Sequence, residues 1–238
     1  KMSKAKVYLI PNFLGAEVSE ERSFPAENKE IISSLSHFAV ENIKDTRRFL
    51  VRLGLKAKID QSEFYFLDKK SDWEDIQPMI ATLKNGHSVG IISDVGCPGI
   101  ADPGSLLVKH AHINGFQAVP LIGPSSIFLA LMASGFNGQS FAFKGYLHRD
   151  RAKKIKELKE MEQLVKQNFQ TQLFMETPYR NEAMWEVLMQ TLHGETKLCI
   201  AANISLPNEY IKTKTVSDWK KNPKQILDKS PAIFLIGT

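Results

Sequence analysis

From residue 93 to residue 104 the chain reads Ser-Asp-Val-Gly-Cys-Pro-Gly-Ile-Ala-Asp-Pro-Gly, with three glycines, two prolines and two aspartates. Glycines let a ligand approach the main chain, prolines stiffen a loop, and aspartates hold hydroxyl or amine groups. A turn followed by a helix, capped by Asp102 with Pro103 at the first helical position, accounts for the end of the stretch but not for the eight residues before it. The eight residues 94–101 are therefore read as a ligand loop. Two shorter groups carry chemistry as well. Lys44-Asp45-Thr46-Arg47 sets a carboxylate between two cations, although a helix start bearing surface charges reads almost as well. Gly123-Pro124-Ser125-Ser126 offers two hydroxyls that either meet a ligand or cap the helix that follows. Neither G-x-G-x-x-G nor G-x-x-x-x-G-K-[ST] occurs, which speaks against a dinucleotide site or a Walker phosphate loop. The two cysteines, Cys97 and Cys199, are too few for a disulfide scaffold, and the dispersed histidines give no metal-ligand spacing, so free thiols and no metal are expected.

The elements that must position these residues alternate through the first half. Lys6–Ile10 reads as a strand meeting Pro11, 26–35 as a helix and His37–Val40 as a strand. A helix over 45–53 ends at Gly54, another runs over 73–83, and Val89–Ile92 reads as a fully buried strand. Pro103 is expected to start a helix ending near Gly115, and 118–122 reads as a further buried strand. Alternation at this spacing predicts right-handed crossovers and a mostly parallel sheet, whose ligands bind beyond the carboxyl ends of the strands. The loops to watch are then 11–15, 93–104 and 123–126. The second half gives a helix at 127–134, a strand at 141–143, a basic helix over 149–165 and an amphipathic segment over 179–192. Strands are expected at 173–175, 198–202, 210–213 and 232–236, a mixed α/β arrangement. The fold class is α/β in two domains, 1–122 and 123–238.

With 238 residues, 43% hydrophobic and 24% charged, the chain has the make-up of a globular protein rather than a disordered or fibrous one. Its longest apolar runs are far short of the roughly 18 residues a membrane span needs, and no secretory leader is apparent, so a cytoplasmic protein is expected. The net charge of +5 is uneven: 15 basic and 15 acidic residues before position 123, 16 and 11 after it. A polyanionic partner is permitted by that excess. Six cations lie in the helix from Arg149 to Lys159, balanced by Asp150, Glu157, Glu160 and Glu162, and read more readily as a solvated face than as a phosphate track. Lys212, Lys214, Lys220, Lys221 and Lys224 form a second basic group.

Pro11-Asn12-Phe13-Leu14-Gly15, Lys44-Asp45-Thr46-Arg47, the 93–104 loop, Gly123-Pro124-Ser125-Ser126 and Glu176-Thr177-Pro178-Tyr179-Arg180 follow one another in an order that resembles the tetrapyrrole (corrin/porphyrin) methylase superfamily. Within it the pattern is most similar to the ribosomal RNA branch, the small-subunit methyltransferases I, which methylate a cytidine ribose 2′-hydroxyl of 16S rRNA. The resemblance covers nearly the whole chain, and the S-D-x-G-x-P-x-x-x-D-P-G loop is its most specific part. It implies two α/β domains, S-adenosylmethionine (SAM) in the cleft between them, and a homodimer. Cofactor contacts carried over by motif are Pro11, Asp94, Val95, Gly96, Pro98, Ser125 and Ser126, then Met175, Glu176, Ala202, Asn203, Pro231 and Ala232. The sequence departs from the branch at Lys44, where a Glu is usual, at Ala201-Ala202-Asn203 in place of Ala-Arg-Glu, and at Lys229-Ser230-Pro231 in place of Lys-Gly-Glu.

Methyl transfer is a displacement at a sulfonium, in which the protein chiefly aligns donor and acceptor. A ribose hydroxyl also benefits from a base, and Asp45 and Asp102 are the candidates. Lys44, Arg47 and Arg180 are placed to hold an anionic substrate, with rRNA or a ribosomal subunit the partner implied. Glu176 reads equally well as a buried partner of Arg180. Two alternatives stay open: a methyltransferase acting on a tetrapyrrole or other small molecule, and a non-catalytic paralogue that binds RNA or protein.

Overall fold

The computed structural model describes residues 5–221 and 229–238. Contacts divide the chain into two units, the first ending at Ser125 and the second running from Ser126 to Thr238.

The first unit contains β1 (Lys6–Ile10), α1 (Glu20–Ser23), α2 (Ala26–Ser34), β2 (His37–Val40), α3 (Ile43–Arg52), β3 (Glu63–Phe66), α4 (Trp73–Lys84), β4 (Val89–Ile92), α5 (Ser105–Ile113) and β5 (Gln117–Pro120). Its strands form one sheet in the order β3-β2-β4-β1-β5, and every pairing is parallel. Successive side chains of a strand point to opposite faces. Val89 and Ile91 accordingly join the core formed with Ile76, Met79, Leu83 and Leu107 of α4 and α5. Ile92 joins the opposite core, with Ile32 of α2 and Phe49 and Leu50 of α3. β4 is buried along its whole length, as its unbroken apolar run implies.

Two local readings need correction, and two short elements were not foreseen. β5 is not a buried strand: it lies at the sheet edge, with Gln117 and Pro120 exposed and Ile122 beyond its end. β3 and α1 carry no clear signal, being four residues each, and β3 occupies the other edge, with Phe64 and Tyr65 half-buried and Phe66 exposed. Pro103 does not begin α5. The helix starts at Ser105 after Gly104, whose φ of 133° only glycine adopts readily.

The second unit contains α6 (Ser126–Ser134), β6 (Phe141–Tyr146), α7 (Arg151–Asn168), β7 (Thr171–Glu176), α8 (Asn181–Thr191), β8 (Lys197–Ala202), β9 (Tyr210–Thr215), α9 (Val216–Lys221) and β10 (Ala232–Gly237). The order is β6-β7-β10-β8-β9, with β6 and β7 parallel and the remaining pairs antiparallel. Leu158, Met161, Met184, Leu188 and Trp219 of α7, α8 and α9 pack on Phe174, Leu198, Ile200 and Phe234 of the sheet. The α/β class expected from the sequence is thus realised as a parallel sheet in one unit and a mixed sheet in the other. Of the second basic group, Lys224 lies outside the described residues.

Candidate cofactor site

The strand order of the first unit decides which loops meet. Because β2, β4, β1 and β5 lie side by side and parallel, the segments that follow them emerge along one edge. Asn12, two residues past β1, joins this edge to the loop after β4. Its main chain exchanges two hydrogen bonds with Gly96, N–H to O at 2.8 Å and O from N–H at 3.1 Å. Its side-chain amide donates to Ser93 O and Asp94 O, both at 3.0 Å. The loop after β5 closes on the same place. A Cβ at Gly123 would lie 2.2 Å from Cγ of Pro11, so this approach requires glycine. The Cys97 thiol lies 3.5 Å from Pro124 O.

Within the ligand loop Asp94 is half-buried, Val95 exposed, and Gly96 and Pro98 buried. Gly96 sits at a φ of 68°, which orients its N–H toward Asn12 at little strain. Asp102 does not cap a helix. Its Oδ2 accepts from the Ser93 hydroxyl at 2.5 Å, and α5 receives no side-chain cap. The turn that sends Asp102 back is closed by Gly99 N–H donating to Pro103 O at 3.0 Å.

Glu41 was not among the residues expected here. It is the first residue beyond β2, and the pairing of Val40 with Ile92 brings it beside Ser93. Glu41, Asp94, Asp102 and Ser93 line one hollow, walled by Ala39, Leu67, Ile91 and Ile92. Burial, followed by the charges of Glu41, Asp45 and Asp102, pushes the Asp94 carboxyl up to about 6. Burial and Asp102 raise Glu41 as well, with Asp68 adding to the rise and Lys69 opposing it. The groups bordering the hollow are therefore mainly acidic, with Lys69 the cation acting on Glu41. Among the described residues no group of three or more His, Cys, Asp or Glu side chains is arranged to hold a metal ion.

Asp45 stands just outside this hollow. Asn42 caps α3 by accepting from the N–H groups of Lys44 and Asp45, and Asp45 itself pairs with Arg48 at 2.9 Å. Lys44 and Arg47 are exposed. Arg52 plays a different part: its guanidinium lies 3.7 Å from the centre of the Phe13 ring and donates to Gly15 O and Val18 O. It fastens the loop after β1 onto α3.

In the second unit the expected cofactor residues gather at one sheet edge. Glu176 and Ala202 each pair with Ala232; β10 runs antiparallel to β7 and β8, so its first residue meets their last. Asn203 N–H donates to Pro231 O at 2.9 Å, and its side-chain amide donates to Ser230 Oγ at 2.9 Å. Met175 is half-buried. The Glu176 side chain is fully buried, 2.7 Å from Arg180 and 3.4 Å from Lys154, and also accepts from Thr177 N–H. Arg180 also donates to Thr177 Oγ1 at 3.0 Å, so neither Glu176 nor Arg180 is a free charged group. Ser126 is the first residue of α6, and Ser125 directly precedes it. On α7 the expected balanced, solvated face holds only in part: Lys156 pairs with Glu160 and Arg151 donates to Gln190, but Lys154 is buried against Glu176, and Asp150 and Glu157 accept from main-chain N–H groups.

A profile of the tetrapyrrole (corrin/porphyrin) methylases matches residues 35–219. The chain belongs to this family. Its members are SAM-dependent methyltransferases. Curated relatives named ribosomal RNA small subunit methyltransferase I include those of Vibrio cholerae, 29% identical over 76% of this chain and 60% of that protein, and of Thermotoga maritima, 31% identical over 72% and 74%. That of Bacillus subtilis is 28% identical over 89% of this chain and 68% of its own length. The chain thus spans about 60% of the length of the Vibrio relative. Among solved structures, the methyltransferase CobJ superposes with a TM-score of 0.64 at 15% identity, covering 99% of this chain and 95% of that one. Diphthine synthase gives 0.64 at 12% identity, over 99% and 90%. Both show the fold.

Proposed function

We propose that this protein transfers the methyl group of SAM to a ribose 2′-hydroxyl of ribosomal RNA. The observation that carries this reading is the meeting of the loops after β1, β4 and β5 at one sheet edge, beside acids carried by the ends of β2 and β4, in a chain whose curated relatives bear the small-subunit rRNA methyltransferase name. In the first unit Pro11, Asp94, Val95, Gly96, Pro98 and Ser125 are the proposed contacts. In the second they are Ser126, Met175, Ala202, Asn203, Pro231 and Ala232, together with the main chain of Glu176. SAM supplies an activated methyl on a sulfonium; the chain's part is to bind it, exclude water and aim the acceptor.

Lys44 and Arg47, exposed on α3 close to Asp45, are proposed to hold substrate phosphates. Arg180 could reach an anion only through the edge that Glu176 and Thr177 leave free. Asp45 and Asp102 remain the proposed proton acceptors, each already engaged by one partner. A cytoplasmic homodimer is the form we propose. Among the described residues no helix is long and apolar enough to cross a membrane.

The deciding experiment is a labelled-methyl assay on the full chain with small ribosomal subunits, total RNA and a tetrapyrrole precursor in parallel. Label in the ribosomal RNA, resistant to alkali at the modified position as a 2′-O-methyl is, supports the reading. Label in the tetrapyrrole alone, or in none of the three, overturns it. In the same assay Asp45→Ala is expected to keep SAM affinity and lose ~10²-fold in turnover; wild-type turnover would remove Asp45 from the mechanism.

A further inference from the structure

From Ser93 to Gly96 every main-chain carbonyl faces a donor inside the first unit. Ser93 O and Asp94 O each accept from the Asn12 side-chain amide at 3.0 Å, and Gly96 O accepts from Asn12 N–H at 2.8 Å. Val95 O lies 2.9 Å from the Ser93 hydroxyl. In a planar trans peptide the C=O and the N–H point in opposite directions, and no peptide bond among the described residues is cis. Carbonyls drawn toward Asn12 therefore turn the N–H groups of the residues that follow them, Asp94, Val95 and Cys97, away from it. Among the described residues none of these three N–H groups donates to a protein acceptor. Gly96 N–H differs, being taken by Asn12 O at 3.1 Å.

We propose that Asn12 is a positioning residue for the cofactor: by gathering the carbonyls of Ser93, Asp94 and Gly96 to itself, it presents the N–H groups of Asp94, Val95 and Cys97 as donors to oxygen atoms of SAM. This rests on the SAM reading, in which the ligand loop is a proposed contact, and gives a residue outside that loop the task of shaping it. SAM carries suitable acceptors in its α-carboxylate and ribose hydroxyls.

Three features support the assignment. An asparagine amide has two hydrogens, enough for two carbonyls at once, while its Oδ1 accepts from Phe13 N–H at 2.7 Å and so fixes which way the amide faces. Asn12 is only 9% exposed, so water does not readily replace a partner that is lost. The next residue is anchored as well: the Phe13 ring packs against Phe24 and Phe49, with the Arg52 guanidinium 3.7 Å from its centre. The loop after β1 is thus a stiff brace for the loop after β4. Donors held in place before the ligand arrives bind it without the entropic cost of being ordered.

The test is calorimetry and amide-proton NMR on the full chain with SAM, for the wild type and Asn12→Asp. That substitution keeps the shape of the side chain and the acceptor for Phe13 N–H, but it sets a carboxylate oxygen where Ser93 O and Asp94 O need a donor. In the wild type, saturation with SAM is expected to move the N–H resonances of Asp94, Val95 and Cys97 downfield. In Asn12→Asp those shifts should be lost and SAM affinity should fall at least about tenfold, in a protein whose circular dichroism is that of the wild type. A purely structural role would leave the affinity of the folded variant unchanged. Wild-type affinity in folded Asn12→Asp, or resonances of the three residues unmoved by bound SAM in the wild type, overturns the proposal and leaves the SAM reading intact. Failure of the wild type to bind SAM overturns both. Should Asn12→Asp fail to fold, Asn12→Ser takes its place: its hydroxyl can serve one carbonyl but not two, a loss of about fivefold is expected, and wild-type affinity again overturns the proposal.

Discussion

Asp94 and Glu176 are both carboxylates at the ends of buried strands, one in each unit, and their surroundings are opposite. Asp94 is half-buried beside Glu41, Asp45 and Asp102, and burial with that like charge lifts it to about 6. Glu176 is fully buried between Lys154 and Arg180, with the N–H of Thr177 as a further donor. A buried charge persists only when paired and hydrogen-bonded. Glu176 meets that condition inside the protein. Asp94 does not, and its compensation must come from protons, water or a ligand. The first unit's edge therefore carries a carboxylate repelled by its neighbours, whereas the charged part of the second unit's edge holds its own loops in place.

The comparison breaks most visibly at Asp94→Arg. Reversing the charge in the hollow is expected to lower SAM affinity by at least ~10²-fold, or about 2.7 kcal/mol, while the melting temperature stays within a few degrees; calorimetry showing wild-type affinity would remove the hollow as the cofactor site. Glu176→Leu attacks the other side. It strands Lys154 without a counter-ion and should cost ~3–5 kcal/mol in urea unfolding, whereas Lys154→Met combined with Glu176→Leu should recover a large part of that loss. A smaller and opposite effect is expected for Asp94→Asn. The folded-state value of about 6 lies above the ordinary 3.8, so the native state binds this proton more readily than the unfolded chain does. Asp94 therefore penalises stability above pH 6, and the penalty disappears as pH falls toward the ordinary carboxylate value. After allowance for solvent screening, Asp94→Asn should stabilise the protein by ~1 kcal/mol at pH 8 and not at all near pH 4; a loss of stability at pH 8 would mean the carboxylate is compensated after all.

Much of this was legible in the residues. The apolar run 89–92 declared the central strand of the first unit because a parallel strand covered on both faces needs no alternation. Gly54 and Gly86 marked helix ends, and both take the positive φ that such ends use. The loop from Ser93 to Gly104 stood out by composition. Asp102 misled because Asp-Pro ahead of an apolar periodic stretch is the usual signature of a helix start, and only the fold shows its carboxylate turned back to Ser93. Glu41 carried a usable signal, its place immediately after a strand whose carboxyl end must face any ligand, but nothing in its neighbours Asn42 and Ile43 suggested chemistry. Glu176 was legible only as an alternative, since its pairing with Arg180 four residues on was foreseeable and its contact with Lys154, twenty-two residues back, was not.

By itself the sequence determined the α/β class, the order of most strands and helices, and the loop that belongs to the methylase family, because periodicity, glycine and proline act over a few residues at a time. Strand order was a matter for the tertiary structure. Placing β4 between β1 and β2, with β5 beyond β1, is what brings Asn12, Glu41, Asp94 and Gly123 to one edge. Whether an acid ends up repelled by its neighbours or matched by cations depends on which distant segments pack beside it, and no local pattern of residues encodes that.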